Sequence, residues 1–289
     1  MPGRDIAEGG QKMTNSNYKE SQDNVIKSVV ESLDGVETKL LPYLPYILQD
    51  LWELGSDPAT MLNLIKRNVA KKNLRILDLG CGKGALAIKL AKNLKCTVKG
   101  IDALPEFIEA AKKYAEKYKV RDFCAFEVND IRSVIGRLKG FDVIVLGAIG
   151  PVLGNISEAL AKTAKALNKP GYVLMDDAYL ADESTQSYAR CLRKKEFYSQ
   201  ICSAGFKIIQ EVLIDKNLQR KTDKAMYRKI AKRVNELICR YPSKKRLLQN
   251  YLESQEYENL MLENELVSGT WLLKFSAGLS RGRARGGKA

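Results

Sequence analysis

The chain has 289 residues, 45% hydrophobic and 28% charged, with a formal net charge of +14 and no histidine. This composition excludes wholesale disorder and leaves room for one large domain or two small ones, while the missing histidine removes the commonest general base. The six cysteines, at positions 81, 96, 124, 191, 202 and 239, form no C-x-x-C pair, which argues against a zinc site or a disulfide framework and for a reducing, cytoplasmic setting.

Residues 1–16 lack an apolar core and any periodicity, so they are expected to form a disordered end and not a signal peptide. Residues 17–70 read as a helical cap. "NVIKSVVESL" places its apolar residues on one helical face, and "LPYLPYILQDLWEL" follows a proline break. From residue 74 short apolar runs alternate with amphipathic stretches. The strands are "LRILDLG", "CTVKGID", "FCAFEV", "FDVIVLG" and "GYVLMDD", with helices over about 83–94, 105–118 and 155–168. Continuous apolar strands alternating with helices predict a parallel sheet covered on both faces, that is, a doubly wound α/β core over 71–215.

"GFKIIQEVLI" supplies a sixth strand, and "GTWLLKFS", within a last core strand at 268–277, a seventh. The residues between them, 216–267, are too many for a structureless loop and are expected to be a helical insertion serving as a lid or as an oligomer contact such as a homodimer. Residues 278–289 read as a basic, disordered tail. The longest apolar stretch, "FDVIVLGAIGPVLG", is too short and too interrupted to span a bilayer.

The chemistry concentrates in "ILDLGCGKGALAIKLA". A strand that ends in Asp78 and runs into Gly80, Gly82 and Gly84 turns sharply, lets a ligand approach the backbone, and delivers it to the N-terminus of the next helix. "GCGKGA" also satisfies G-x-G-x-x-[GA], which leaves a dinucleotide and an NAD-dependent oxidoreductase open. Asp78 separates the readings. A carboxylate is awkward beside a pyrophosphate and suits a ligand carrying an ammonium group.

With this D-x-G-x-G-x-G loop, the acid of "VKGIDALPEF", the "FEVNDIR" loop and "FDVIVLGAIGPV", the sequence resembles the class I S-adenosylmethionine-dependent methyltransferases, over about 70–215 and the terminal strand. The resemblance implies that Asp78, Gly80, Cys81, Gly82 and Gly84 hold the methionine part of S-adenosylmethionine and that Asp102 binds the ribose hydroxyls. Ala103 and Leu104 would pack on adenine, Asp130 would accept from its amino group with Asn129 or Ile131 flanking the ring, and Leu146, Gly147 and Ala148 would face the reacting methyl. Ligands at the ends of successive strands are what open α/β sheets bind.

The acceptor is narrowed by absence. "LGAIGPV" carries neither an N/D-P-P-Y motif nor a Pro-Cys pair, which weighs against base-N, glutamine and pyrimidine-C5 targets. Asp176 and Asp177 could ligate magnesium, yet an acid at the end of the fourth strand is missing, so no metal is expected. What remains is a small-molecule acceptor with an N, O or S nucleophile, in a pocket closed by helices and lined by Tyr43, Tyr46, Trp52, Ala148 and Tyr179. Asp176, Asp177 and Tyr179 are the candidate catalytic groups. In layout the chain looks closest to the small-molecule branch that includes ubiquinone and phosphobase methyltransferases. The alternative is an RNA or protein methyltransferase using the basic surface.

Overall fold

The computed structural model of the protein describes residues 15–188 and 191–276. Seven strands form one sheet: β1 Arg75–Leu79, β2 Thr97–Asp102, β3 Cys124–Val128, β4 Phe141–Gly147, β5 Leu167–Leu180, β6 Phe206–Leu213 and β7 Leu266–Phe275. Their order is β3-β2-β1-β4-β5-β7-β6, with β7 antiparallel to both neighbours and the pairs among β1 to β5 parallel. This is the doubly wound, mostly parallel, seven-stranded sheet that the alternating pattern predicts.

The helices are α1 Asn15–Ser32, α2 Leu44–Ile47, α3 Pro58–Asn68, α4 Ala85–Leu94, α5 Pro105–Lys117, α6 Ile131–Val134, α7 Ile156–Ala164, α8 Lys194–Ser203, α9 Lys216–Arg240 and α10 Lys245–Asn264. Local chemistry sets several of their starts. Asp57 caps α3 by accepting from the Ala59 amide, and Asn155 and Glu158 form a reciprocal capping box on α7. Pro105 opens α5 where a missing N–H costs nothing.

Strand alternation divides the core in two. Ile76, Val143, Val145, Leu174 and Leu272 face α3 and α4, whereas Leu77, Ile144, Val173, Trp271 and Leu273 face the side that carries α7 and α8. A third cluster lies outside the sheet, where Leu40, Leu44, Ile47, Leu48 and Leu51 of the cap meet Leu104 and Phe107 and then Ile230, Val234 and Leu237 of α9. The insertion therefore folds back on the chain's own cap.

Some boundaries differ from expectation. β5 begins at Leu167, earlier than "GYVLMDD", because a register break after Phe141↔Leu167 restarts the pairing at Val143↔Tyr172. α7 ends at Ala164 for the same reason, and the last strand is Leu266–Phe275 instead of 268–277. Of the ends expected to be disordered, 1–14 and 278–289 lie outside the described residues, while Asn15 and Ser16 open α1.

Trp271 is fully buried, packs on Phe197 and Tyr179, and donates its indole N–H to Glu211 at 2.8 Å. Replacing it with alanine is expected to destabilise the protein by about 3–5 kcal/mol, read as a lowered denaturation midpoint in urea.

Candidate functional site

The loop after β1 takes its shape from three glycines with positive φ: Gly80 at 71°, Gly82 at 52° and Gly84 at 74°. A side chain at Gly80 would strike Ile149, and one at Gly84 would strike Ala111 and Phe126, so residues with a Cβ fit neither the angles nor the space. Gly84 then opens α4 without a side-chain cap, which leaves its first amides at the loop.

Asp78 lies beneath this loop and is 3% exposed. No hydrogen bond from another described residue reaches its carboxylate, and burial, reinforced by Asp102, pushes its pKa up to about 7. Burial and the two carboxylates likewise push the Cys81 thiol up, so this cysteine is a packed, protonated group under the loop.

Asp102 ends β2 and cross-braces the loop. Its Oδ2 accepts from the Gly82 amide at 2.9 Å and its Oδ1 from the Leu104 amide at 2.9 Å. Each carboxylate oxygen retains a further lone pair. Ala103 and Leu104 follow directly, and Leu104 is buried. After β3, the Asn129 amide donates to the Asp102 carbonyl, which joins the two strand ends. Asp130 caps α6 and binds Arg132 at 3.0 Å, Arg132 also reaches Ser28 of α1, and Ile131 is buried behind them.

Leu146 and Gly147 close β4, and Ala148 follows with a positive φ of 52°. Over them runs a strap of the cap, Leu54 to Asp57. Cβ atoms added to Gly82, Gly147 and Gly55 would meet Leu54, Ser56 and Ala148 respectively. The Ser56 hydroxyl and the Asp57 amide also reach the Asp176 carboxylate, as does the Thr270 hydroxyl. Burial still outweighs these bonds and pushes Asp176 up to about 6.

Several acceptor-site expectations need correction. Asp176 and Asp177 do not form a pair, because successive strand residues point to opposite faces. Asp176 shares the face of Leu174, and Asp177 that of Tyr179. Burial pushes Asp177 up to about 6 as well. Tyr179 is 3% exposed and packs against Phe197, Tyr198 and Trp271, so it is a core residue and not part of a pocket lining. Tyr46 donates its hydroxyl to Glu236 at 2.7 Å beneath the Arg233 guanidinium, and Tyr43 meets Tyr241 edge to face. Both therefore dock α9. Trp52 stacks on Tyr114 and Tyr118 at 4.7 and 5.1 Å and donates to the Lys83 carbonyl. Of the five lining candidates only Ala148 stands at the strand ends facing outward.

Lys83, one of the variable positions of the glycine loop, was missed by sequence reasoning. It is 5% exposed, and its ammonium donates to the carbonyls of Leu48 and Leu51, the latter at 2.7 Å, above the Phe107 ring. Burial lowers its pKa to about 8. Nothing in the spacing of the loop signals this bond, which depends on the cap folding over it.

Comparison with known proteins places this geometry among relatives. The sequence pattern of the family described as a methyltransferase domain matches residues 70–232, more than half of the chain. A sterol 24-C-methyltransferase of Clavispora lusitaniae is 28% identical over 43% of this chain, which spans about a third (34%) of that protein's length. A ubiquinone biosynthesis O-methyltransferase of Coxiella burnetii is 25% identical over 51% of this chain and 70% of its own. Among solved structures, a methyltransferase of Geobacter sulfurreducens in complex with S-adenosyl-L-homocysteine superposes with a TM-score of 0.68 at 18% identity, over 83% of this chain and 98% of that one. The likeness establishes the same fold. Among the described residues no helix is long and apolar enough to cross a membrane.

The Asp78 carboxyl gives a pH test. Its folded-state pKa, about 7, lies above the 3.8 of an ordinary aspartate, so its contribution to stability is present below pH 4 and lost as pH rises through 7. Asp78→Asn is expected to raise the stability of the ligand-free protein at pH 8 by on the order of 2 kcal/mol and to flatten its fall between pH 4 and 7, as measured by chemical denaturation at several pH values.

Proposed function

The chain belongs to the methyltransferase-domain family, and from that membership we propose that it transfers the methyl group of S-adenosylmethionine to a small-molecule acceptor. The single observation that carries this reading is the buried, unbonded Asp78 carboxylate under a loop of three positive-φ glycines. A cation without a phosphate meets what that place lacks, and the α-amino end of S-adenosylmethionine is such a group. A pyrophosphate would add charge of the wrong sign there, which speaks against the dinucleotide alternative.

The cofactor supplies an electrophilic methyl, so the protein's part is alignment and exclusion of water. In this reading Gly80, Cys81, Gly82 and Gly84 give their backbone to the methionine arm. Asp102, already held rigid by two amides, offers its remaining lone pairs to the ribose diol. Ala103 and Leu104 flank the adenine on one side and Asn129, Asp130 and Ile131 on the other, while Leu146 and Gly147 border the sulfonium. The Leu54 to Asp57 strap covers this end of the site, and Asp176 stands beside it as the acid nearest the acceptor. Ubiquinone and sterol methyltransferases among the relatives act on small molecules by name, which supports an acceptor of that size here.

Calorimetric titration with S-adenosylhomocysteine, and with NADH as control, tests the reading. Binding of S-adenosylhomocysteine alone is expected, with Asp102→Ala weakening it by on the order of 1.5–3 kcal/mol through lost hydrogen bonds to the ribose. Binding of NADH alone would overturn the assignment.

A further inference from the structure

α9 is rich in lysine and arginine, and its sequence holds only two acids, Asp223 and Glu236. Helical spacing sorts these charges. Gln219, Ile230, Val234 and Leu237 are buried, which fixes the inward side of the helix. The opposite side presents Leu218, Lys221, Ala225, Arg228 and Lys232, which recur at intervals of three and four and are all exposed, with Lys224 and Lys229 exposed on its flanks. At 1.5 Å per residue this row is about 21 Å long.

The nearby acids do not neutralise it. Asp223 follows Gln219 by one turn on the inward side, and Glu236 accepts from Tyr46 and pairs with Arg233. Of the acids on α10, Glu263 binds Arg220 and Glu256 accepts from Tyr227, both on the flank turned toward α10, while Glu258 acts on Asp223. Lys229 and Lys232 lie in the field of Asp50, whose carboxylate is already bound by Arg233. Among the described residues, Lys221, Lys224, Arg228, Lys229 and Lys232 make no ion pair.

The charge continues past the helix. Arg240 ends α9, and Lys244, Lys245 and Arg246 follow, all exposed, with no acid between Glu236 and Glu253. Beside them Lys39, Lys244 and Arg246 line a recess of about 370 Å³, whose one carboxylate, Glu37, accepts from Asn250 at 3.3 Å. Two large apolar side chains stand among the cations. Leu218, 60% exposed, opens the row, and Tyr241, 39% exposed, follows the end of the helix.

Unpaired cations along a convex helix call for an extended anionic surface. Four of the five outward cations on α9 are lysines, flexible point charges that meet scattered headgroups, whereas the arginine fork is the better match to the fixed phosphates of a nucleic acid. An exposed leucine gains nothing from a phosphate backbone. It is buried on entering the interfacial layer of a bilayer, where a tyrosine is also well placed. We propose that the outward face of α9 and the turn after it dock the protein on an anionic membrane surface. This goes beyond the methyl-transfer reading and does not depend on it.

Sedimentation of the full chain with vesicles tests the proposal, using phosphatidylcholine alone and phosphatidylcholine mixed about three to one with phosphatidylserine. Binding is expected to the mixture alone and falls as salt is raised. Lys221→Ala, Arg228→Ala and Lys232→Ala together should weaken it about a hundredfold, from about fivefold for each cation. Lys66→Ala, Lys112→Ala and Lys113→Ala, which remove the same charge from exposed positions on α3 and α5, should change it by less than about threefold, because charges facing away from the lipid are screened. Leu218→Ser should weaken it about tenfold and leave its salt dependence unchanged. Alanine suits exposed helical positions, so an unchanged thermal midpoint reports an intact fold. Every variant keeps residues 277–289 with their own cations, so the differences read α9. Failure to bind the mixture, equal binding to both kinds of vesicle, or an equal loss from both alanine sets would each overturn the proposal. A protein that binds an RNA homopolymer and neither vesicle would assign this face to nucleic acid and overturn the lipid docking.

Discussion

The Lys83 ammonium sits between the carbonyls of Leu48 and Leu51, in a place dry enough to draw its pKa down to about 8. An ammonium removed from water is held only if its protons find oxygen, and these two carbonyls come from a part of the chain more than thirty residues earlier. The bond is reciprocated, because the indole N–H of Trp52 returns to the carbonyl of Lys83 at 3.1 Å. The glycine loop and the helical cap are thereby interlocked. The strap at Leu54 to Asp57 leaves directly from this interlocked segment, two residues after Trp52.

A second tier of contacts carries the same frame outward. Arg233 of α9 binds Asp50 at 2.7 and 2.9 Å and Glu236 at 2.8 Å, and Glu236 accepts from Tyr46. Exposed ion pairs of this kind contribute little singly. Here they orient an apolar contact, in which Ile230, Val234 and Leu237 close over Leu44, Ile47 and Leu48. The cap is thus wedged between the glycine loop and the insertion.

The architecture was legible because its signals are local. Apolar runs of strand length, prolines and glycines at element ends, and an acid ahead of three glycines each act within a few residues, and the strands lie where the pattern puts them. The residues proposed to hold the cofactor share that property, since each stands at or just beyond the end of a strand. The acceptor region was misread where its meaning depends on packing between distant segments. Tyr43, Tyr46 and Trp52 look like a ligand lining in sequence, yet their partners are Tyr241, Glu236 and Tyr114, which no spacing rule connects to them. Tyr179 reads as a pocket residue beside Asp176, and the two-residue period of a strand turns it to the opposite face, into the core around Trp271. Lys83 had no signal, because a lysine in a loop is unremarkable until its buried partners are known.

The position of β7 has a consequence for how the molecule is made. The last strand in the sequence is inserted between β5 and β6, so those two are joined only through residues 266–275. During synthesis from the N-terminus, β5 and β6 emerge with edges that nothing yet covers, and exposed edges invite pairing with other chains. Trp271 and Leu273 also follow the rest of the sheet, leaving the aromatic cluster around Phe197 open until β7 has been made. Completion of the sheet is therefore a late, long-range event, and it seats the two ends of the α9–α10 insertion at the same moment.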